Sequence, residues 1–596
     1  TIAPEFTVES GRYSDSVTIE ITCSDPNAEI YYTLDGSRAS KATGILYTGP
    51  IVIDKVTRVH ACAYSGDKLK SLQATADYYI TVTDPEENFV IDTNGIITEY
   101  NGTNNYLTIP DTIDGIAVTG IGKSVFYASD IVMVKFPDTL TYVGPWAFYN
   151  CTALQSVYCN NLKIIDERGF YICHNLDTID LSQLEEVGEY AFGHCSSLTS
   201  ISNDKLTTIP RGAFSGLNSA IYIDFPNVSS IDTWGLRGLQ SAEYVNLPKV
   251  QTLGQSALAE AYILESLNFP ELTTLGGPTC FSFTHRLKEF FAPKLENVTE
   301  RAFDNSAVKI LNLPSVTEVE NNGFRYCDVE TLKLDSLKEV NSEAFSNLLY
   351  LETLYIPSVE HLDEGAFKNF SDTYNSGKTV KVFAPNLISL DSLPENSKAV
   401  EFYTTDKLQS ITIAPDEKYT VIAPLNSFSK QWAEENGYTF ISSDDMAEAL
   451  GGQIRTRDSG LRFGFTLDSS NIGFDYESLA DDVEYGFVYT FDELSGDENA
   501  VNAQLKAGNE GTYTIEAAKR NVEGTVSQYN AVFTGIPASH YDSKISARAY
   551  VCIDGMYFYS PVTTRSFNDV ANAILNDNTM DSNTRSEVYN FINREV

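Results

Sequence analysis

The sequence predicts a mostly β chain: a solenoid of about 12 coils of 22 residues between two β-sandwich domains, with short helices at the C-terminus. Three observations predict it. A small residue followed by Phe or Leu recurs twelve times between Val125-Phe126 and Ala366-Phe367, at spacings of 21–23 residues. Two short apolar patterns ride on the same period. Strongly alternating strings bounded by turn residues fill the chain on either side. The expected domains are therefore 1–83, 84–443 and 444–596.

Residues 1–83 alternate in Val17-Thr-Ile-Glu-Ile-Thr22, Glu29-Ile-Tyr-Tyr-Thr-Leu34 and Arg58-Val-His-Ala-Cys-Ala-Tyr64, with Asp35-Gly36 and Ser65-Gly66 as turns. Short strands at this spacing make a small antiparallel sandwich. Ile30-Tyr-Tyr-Thr-Leu-Asp-Gly36, followed by Tyr47-Thr-Gly-Pro-Ile51, resembles the immunoglobulin-like module at the C-terminal end of chitobiases and hexosaminidases. That resemblance implies a non-catalytic companion and brings no active site.

The repeat follows. Its first apolar pattern reads Leu154-Gln-Ser-Val157-Tyr-Cys159, Leu176-Asp-Thr-Ile179-Asp-Leu181 and Leu351-Glu-Thr-Leu354-Tyr-Ile356; its second reads Leu162-Lys-Ile-Ile165 and Leu337-Lys-Glu-Val340. Prolines such as Pro226, Pro248 and Pro270 end the first strand, because proline has no N–H for a ladder. A coil of this length cannot bury its own apolar face, so identical coils must stack and share a core. The phase-locked rings then form an internal column, each worth about 2–3 kcal/mol of burial. The unit resembles the leucine-rich repeat of BspA-type bacterial surface proteins. Asn94–Gly102 with Leu107–Pro110 resembles that family's entry segment, and Ser427–Phe440 its closing segment. The resemblance implies secretion or surface display, adhesion to a macromolecule and no catalytic residues.

Residues 444–596 alternate again in Leu461–Thr466, Glu484–Tyr489, Tyr529–Phe533 and Ile545–Val551, and end in two helical stretches, Asn568–Leu575 and Ser582–Phe591. A β-sandwich with a helical tail is expected.

Composition bounds the function. The 596 residues carry 41 basic and 81 acidic side chains, a net charge of −40, which repels nucleic acid and anionic membranes. No apolar run reaches the roughly 18 residues of a membrane helix. The chain opens at Thr1 without a charged-then-apolar leader, and reads as a trimmed or processed product whose export signal or anchor would lie outside it. No phosphate-cradling loop, dinucleotide fingerprint, nucleophile elbow or paired-histidine zinc helix is present, so neither enzymatic activity nor a cofactor is expected. Cys151, Cys173, His174, His194 and Cys195 lie on three successive coils. Metal ligands pair two to four residues apart, whereas a 22-residue phase is a packing phase, so a buried thiol stack is expected rather than a zinc site.

Repeat proteins bind on the sheet made by one strand per coil. In Leu-x-x-Leu-x-Leu the third and fifth positions face away from the core. Those columns supply the candidate contact residues Tyr158, Asp180, Tyr222, Asp224, Tyr244, Asn246, Asn268, Phe291, Asn312 and Tyr355. Tyr222 and Tyr244 should stack, and Phe291 and Ile310 place apolar groups where solvent is expected. Rigid rings would give contact area, and Asp and Asn hydrogen bonds. The expected function is non-enzymatic adhesion of a monomer to a protein or glycan ligand. The alternative is a carbohydrate-binding accessory protein of a glycan-degrading system.

Overall fold

In the computed structural model each coil lays down two short parallel strands and then a run of turns. It describes residues 3–593 except 67–69, 369–377, 395–396, 415–417, 457–459, 474–475, 481, 497 and 524. The chain forms two units, 1–292 with 302–308, and 293–301 with 309–596.

In the first unit the coils pair in register. Ser156–Tyr158 lies beside Met133–Lys135, with Val157 opposite Val134, and Ile164–Ile165 lies beside Tyr142–Val143. The central residue of each triplet points inward, so Val134, Val157, Ile201 and Ile223 are all buried. The third side of the coil is not a β-strand, yet its backbone is equally tied to the next coil. Trp146, Phe148 and Asn150 donate N–H bonds to the carbonyls of Glu167, Gly169 and Tyr171 at 3.0, 2.7 and 2.7 Å, while Ala147 and Tyr149 donate locally to Gly144 and Trp146. Every second N–H thus points along the stack. That alternation puts the residues two before and two after each core ring in the left-handed region: Trp146 and Asn150, Arg168 and Ile172, Tyr190 and His194. Such φ values cost a non-glycine residue on the order of 1 kcal/mol, and bonds to both neighbouring coils hold them in place.

Between these turns the rings form the expected spine. Phe126, Phe148, Phe170, Phe192 and Phe214 are buried and stack at successive centroid distances of 4.9, 5.0, 5.5 and 5.6 Å. Leu236 and Leu258 continue the column, and Phe281 stacks on Phe303 at 5.1 Å. In the second unit Phe345 and Phe367 lie 5.4 Å apart.

The N-terminal strands form the expected antiparallel modules. One sheet runs in the order Gly11–Tyr13, Ala74–Ile80, Thr57–Tyr64, Glu29–Thr33, Ile45–Leu46; its Gly11–Tyr13 edge alone is parallel. Val17–Ile19 pairs with Ile51–Ile53 across the core from it, with Ile19, Ile53, Val59 and Tyr78 between. The chain then enters the solenoid without a break: Val82–Thr83 pairs in parallel with Tyr106–Thr108 as the first strand of the coil sheet.

In the second unit one parallel sheet runs Thr331–Lys333, Thr353–Tyr355, Thr379–Phe383, Ala399–Tyr403, Tyr419–Ala423, Thr439–Ser442. The helix Phe428–Asn436 precedes the last strand, capped by Ser427 and ended by Gly437 at φ 76°. Beyond it two antiparallel sheets face each other, one containing Gly460–Asp468 and Val526–Phe533, the other Val483–Thr490 and Ile545–Ile553. The tail is helical over Phe567–Asn576 and Ser582–Ile592; the first opens on a capping box between Ser566 and Asp569.

The stacked column makes a graded prediction. Phe170→Ala leaves a cavity with rings on both sides and should cost about 3–5 kcal/mol. Phe170→Leu, the residue that coils 236 and 258 already carry, should cost about 1–2 kcal/mol. Urea unfolding followed by circular dichroism will rank the two.

Candidate ligand-binding strip

The outward columns of the coil sheet divide into covered and open stretches. In the first unit the N-terminal module lies over the first coils. Lys135 pairs with Asp15 at 2.6 Å, and Arg12 donates to both carboxylate oxygens of Asp177 at 2.6 Å. Met133 and Ser156, outward by sequence phase, are fully buried. Tyr158 is half-buried, and burial raises its hydroxyl pKa, offset in part by the nearby Arg12. Tyr158 is therefore a packing residue of this contact more than an open face.

Past that contact the strip opens. Asp180 is exposed, but one of its oxygens accepts the backbone N–H of Ser182 at 2.8 Å. Tyr222 and Tyr244 are paired in register and stack as the sequence predicts, 4.9 Å apart and within 6° of parallel. They stay 41 % and 48 % exposed, so their outer faces remain available. Asp224, directly opposite Asn246, accepts from the Asn246 amide at 2.8 Å and from the Tyr222 hydroxyl at 3.2 Å. These four side chains form one pre-ordered patch. Asn268 is exposed and in register with Phe291, itself 39 % exposed. In the second unit Asn312 is exposed beside Ile310, the most open large apolar residue of that column.

Tyr355 is a correction. It is fully buried, stacked on Phe383 at 4.6 Å and 2°, and its hydroxyl bonds the Asp554 carboxylate. Tyr355, Phe383, Tyr403 and Ile422 share one core with Leu461, Phe465, Tyr529 and Val551 of the C-terminal sandwich. The outward face of the last coils is thus an internal surface. A signal for this was in the sequence: three successive coils put an aromatic, Tyr355, Phe383 and Tyr403, in one outward column. Unbroken apolar columns mark a covered face. Arg548 fastens the same contact. Fully buried, it donates to the carbonyls of Asp444, Asn502 and Ser560, each at 2.8 Å.

The cysteines take the packing role that their phase predicts. Cys151, Cys173 and Cys195 are fully buried, and their thiols donate to the carbonyls of Phe126, Phe148 and Phe170 at 2.8, 3.1 and 3.1 Å. His174 turns its Nδ1 to the His194 carbonyl at 2.9 Å instead of toward the thiols. Among the described residues no group of three or more His, Cys, Asp or Glu side chains converges as a metal site.

The family model described as "BspA type Leucine rich repeat region (6 copies)" matches residues 119–234, 207–331 and 296–429, together just over half of the chain. The chain belongs to the BspA-type leucine-rich-repeat proteins. A second model, "Fn3 associated", matches residues 19–78. No curated protein matches. Among solved structures the BspA-type chain is similar to a leucine rich cell surface protein from Faecalibacterium prausnitzii, at 21% identity, covering 58% of this chain and 94% of that one, with a TM-score of 0.34. It is also similar to a leucine-rich repeat protein from Bacteroides ovatus, at 19% identity, 60% and 97% coverage and a TM-score of 0.31. An internalin from Listeria monocytogenes matches at 15% identity, 47% and 82% coverage and a TM-score of 0.17. No described helix of this BspA-type protein is long and apolar enough to cross a membrane.

Two predictions follow from these contacts. Lys135 holds the Asp15 carboxyl below its ordinary pKa, so the pair stabilises the folded chain above the unfolded pKa and is lost as pH falls through the depressed one. Wild type should be slightly more stable than Lys135→Ala at pH 7, by under about 1 kcal/mol because the pair is largely exposed, and the gap should close well below the ordinary Asp value of 3.8. Scanning calorimetry on both sides of that value checks it. Hydrogen bonding to its neighbour and burial push Cys151 up, and burial pushes Cys173 up strongly, so almost no thiolate is present at neutral pH. Iodoacetamide at pH 8 should leave both unlabelled in the native protein and label both in urea, read by peptide mass spectrometry.

Proposed function

We propose that this BspA-type protein is a non-enzymatic, secreted or surface-attached adhesion protein. Its contact surface is the open part of the coil sheet around Tyr222 and Tyr244. The observation that carries the reading is their geometry: two parallel rings, each nearly half exposed, with the Tyr222 hydroxyl bonded to Asp224 and Asp224 to Asn246 beside them. Rings fixed in this way lose little entropy on binding, which is what makes tyrosine a good anchor. Asn268 and Phe291 extend the same face with a polar and an apolar group. The ligand in this reading is a host or bacterial macromolecule, protein or glycan, recognised by a monomer without chemistry.

Immobilised wild type and the double variant Tyr222→Ala/Tyr244→Ala will be challenged with a mucosal extract and with purified matrix proteins. Loss of both anchors should weaken capture by about 2 kcal/mol or more, roughly thirtyfold. Equal recovery on both columns would show that this patch is not the contact surface, and turnover of any captured molecule would end the non-enzymatic reading.

A further inference from the structure

The turn side of the first unit carries a second recessed surface that the repeat pattern does not require. At this side the outward positions are the residue two before the core ring and the two after it. Early coils fill them with large side chains: Trp146, Tyr149 and Tyr171. The coil around Phe214 does not. It carries Gly212, Ser215 and Gly216, and the next coil adds Gly238. The result is a notch of about 560 Å³ whose lining includes Ser215, Gly216 and Gly238 of two successive coils.

Its walls are aromatic and polar. On one side Tyr171 meets Tyr190 and His194 edge-on, at 5.9 and 5.6 Å, which locks the three rings together. The Arg168 guanidinium lies over Tyr190 at 5.0 Å. On the other side stand Trp234, Arg237 and Glu260, with Arg237 donating twice to one Glu260 oxygen, at 2.6 and 3.2 Å. The glycines are needed for this shape. A Cβ at Gly216 would lie 2.8 Å from His194 Nδ1, and Gly216 and Gly238 both sit at positive φ, 73° and 85°.

We propose that this notch is a binding site for a neutral pyranose unit of a glycan, separate from the coil-sheet strip. A sugar ring presents C–H faces that pack on aromatic planes; Trp234 supplies such a ring at one notch wall, while Arg168 covers Tyr190 at the other. Its hydroxyls each need a donor and an acceptor, and the Arg237–Glu260 pair offers both side by side, with Asn218 and Gln240 adding amides. Neutrality follows from the charges. Arg168 is paired with Glu167 and Arg237 with Glu260, so neither has charge to spare for an anion. Burial, then His174 and Arg237, hold His194 below its ordinary pKa and therefore neutral at pH 7. The chain's net charge of −40 further disfavours acidic sugars.

The test is a microarray of neutral and sialylated oligosaccharides, followed by isothermal titration calorimetry with the neutral oligosaccharide retained most strongly. Three variants accompany the wild type. Ser215→Tyr puts into the notch the residue that Tyr149 and Tyr171 place at the same phase, so the coil tolerates it while the space is filled. Trp234→Ala removes one ring, and Tyr222→Ala/Tyr244→Ala reports on the sheet strip. The wild type should retain neutral glycans. Ser215→Tyr and Trp234→Ala should each lose about tenfold or more in affinity with little change in melting temperature, and the double tyrosine variant should bind as wild type. If Trp234→Ala melts early, Ser215→Tyr alone decides. Retention of no neutral glycan, retention of sialylated glycans only, unchanged affinity in Ser215→Tyr, or loss in the double tyrosine variant would each overturn the proposal. Failure here leaves the protein-capture experiment on Tyr222 and Tyr244 untouched, since the two use different residues.

Discussion

Everything in the repeat rests on one constraint: a coil can satisfy neither its backbone nor its core ring except through the coil beside it. Phe148 is buried because Phe126 and Phe170 lie on its two faces. Its N–H is satisfied because Gly169 presents a carbonyl from the next coil. The strands and the turn side obey the same rule, so the period must hold to within a residue along the stack. The 23-residue step from Leu258 to Phe281 is absorbed with both side chains still buried, but a larger slip would carry a ring out of the column and leave unpaired N–H groups in the core, each costing about 1–3 kcal/mol. The left-handed residues either side of each ring are part of the same arrangement, and they explain why Asn and Gly recur there beside bulkier side chains.

Stacking fixes the inside of each coil and leaves the outside free, and the protein uses that freedom in several ways. In each unit the neighbouring sandwich covers part of the outward columns, and the two contacts differ in chemistry. Asp15–Lys135 and Arg12–Asp177 are ion pairs at the edge of water, worth little individually. Tyr355, Phe383 and Tyr403 are instead members of a hydrophobic core, with the buried Arg548 satisfied by three carbonyls beside it. The second contact has far more apolar area to hold it. Where no sandwich intervenes, the Tyr222–Tyr244 patch faces solvent, and on the turn side three small residues, Ser215, Gly216 and Gly238, open a notch.

Much of this was legible in the residues. The spacing of the Ala-Phe pairs located the inward ring of every coil, and the Leu-x-x-Leu-x-Leu pattern placed Tyr222 opposite Tyr244 and Asp224 opposite Asn246. Both are consequences of period, which needs only local phase. The same logic turns Tyr355 outward where the structure buries it, because phase says that a side chain leaves the core of its own coil and nothing about what it meets outside. The notch has no signature in the strand columns; it lies in the turn columns, where Ser215, Gly216 and Gly238 stand out against Trp146, Tyr149 and Tyr171.

The sequence by itself determined the repeat, its register and the identity of the buried rings, since these follow from a periodic pattern that only stacked coils can satisfy. It also marked the two alternating flanks and the capped helices of the tail. The tertiary structure alone decided which outward residues stay outward. That choice depends on where the flanking sandwiches settle, through contacts such as Arg12 with Asp177 and Tyr355 with Asp554 that join residues more than 150 positions apart. No local pattern encodes such a meeting, because the groups that cover a surface are chosen by the path of the folded chain.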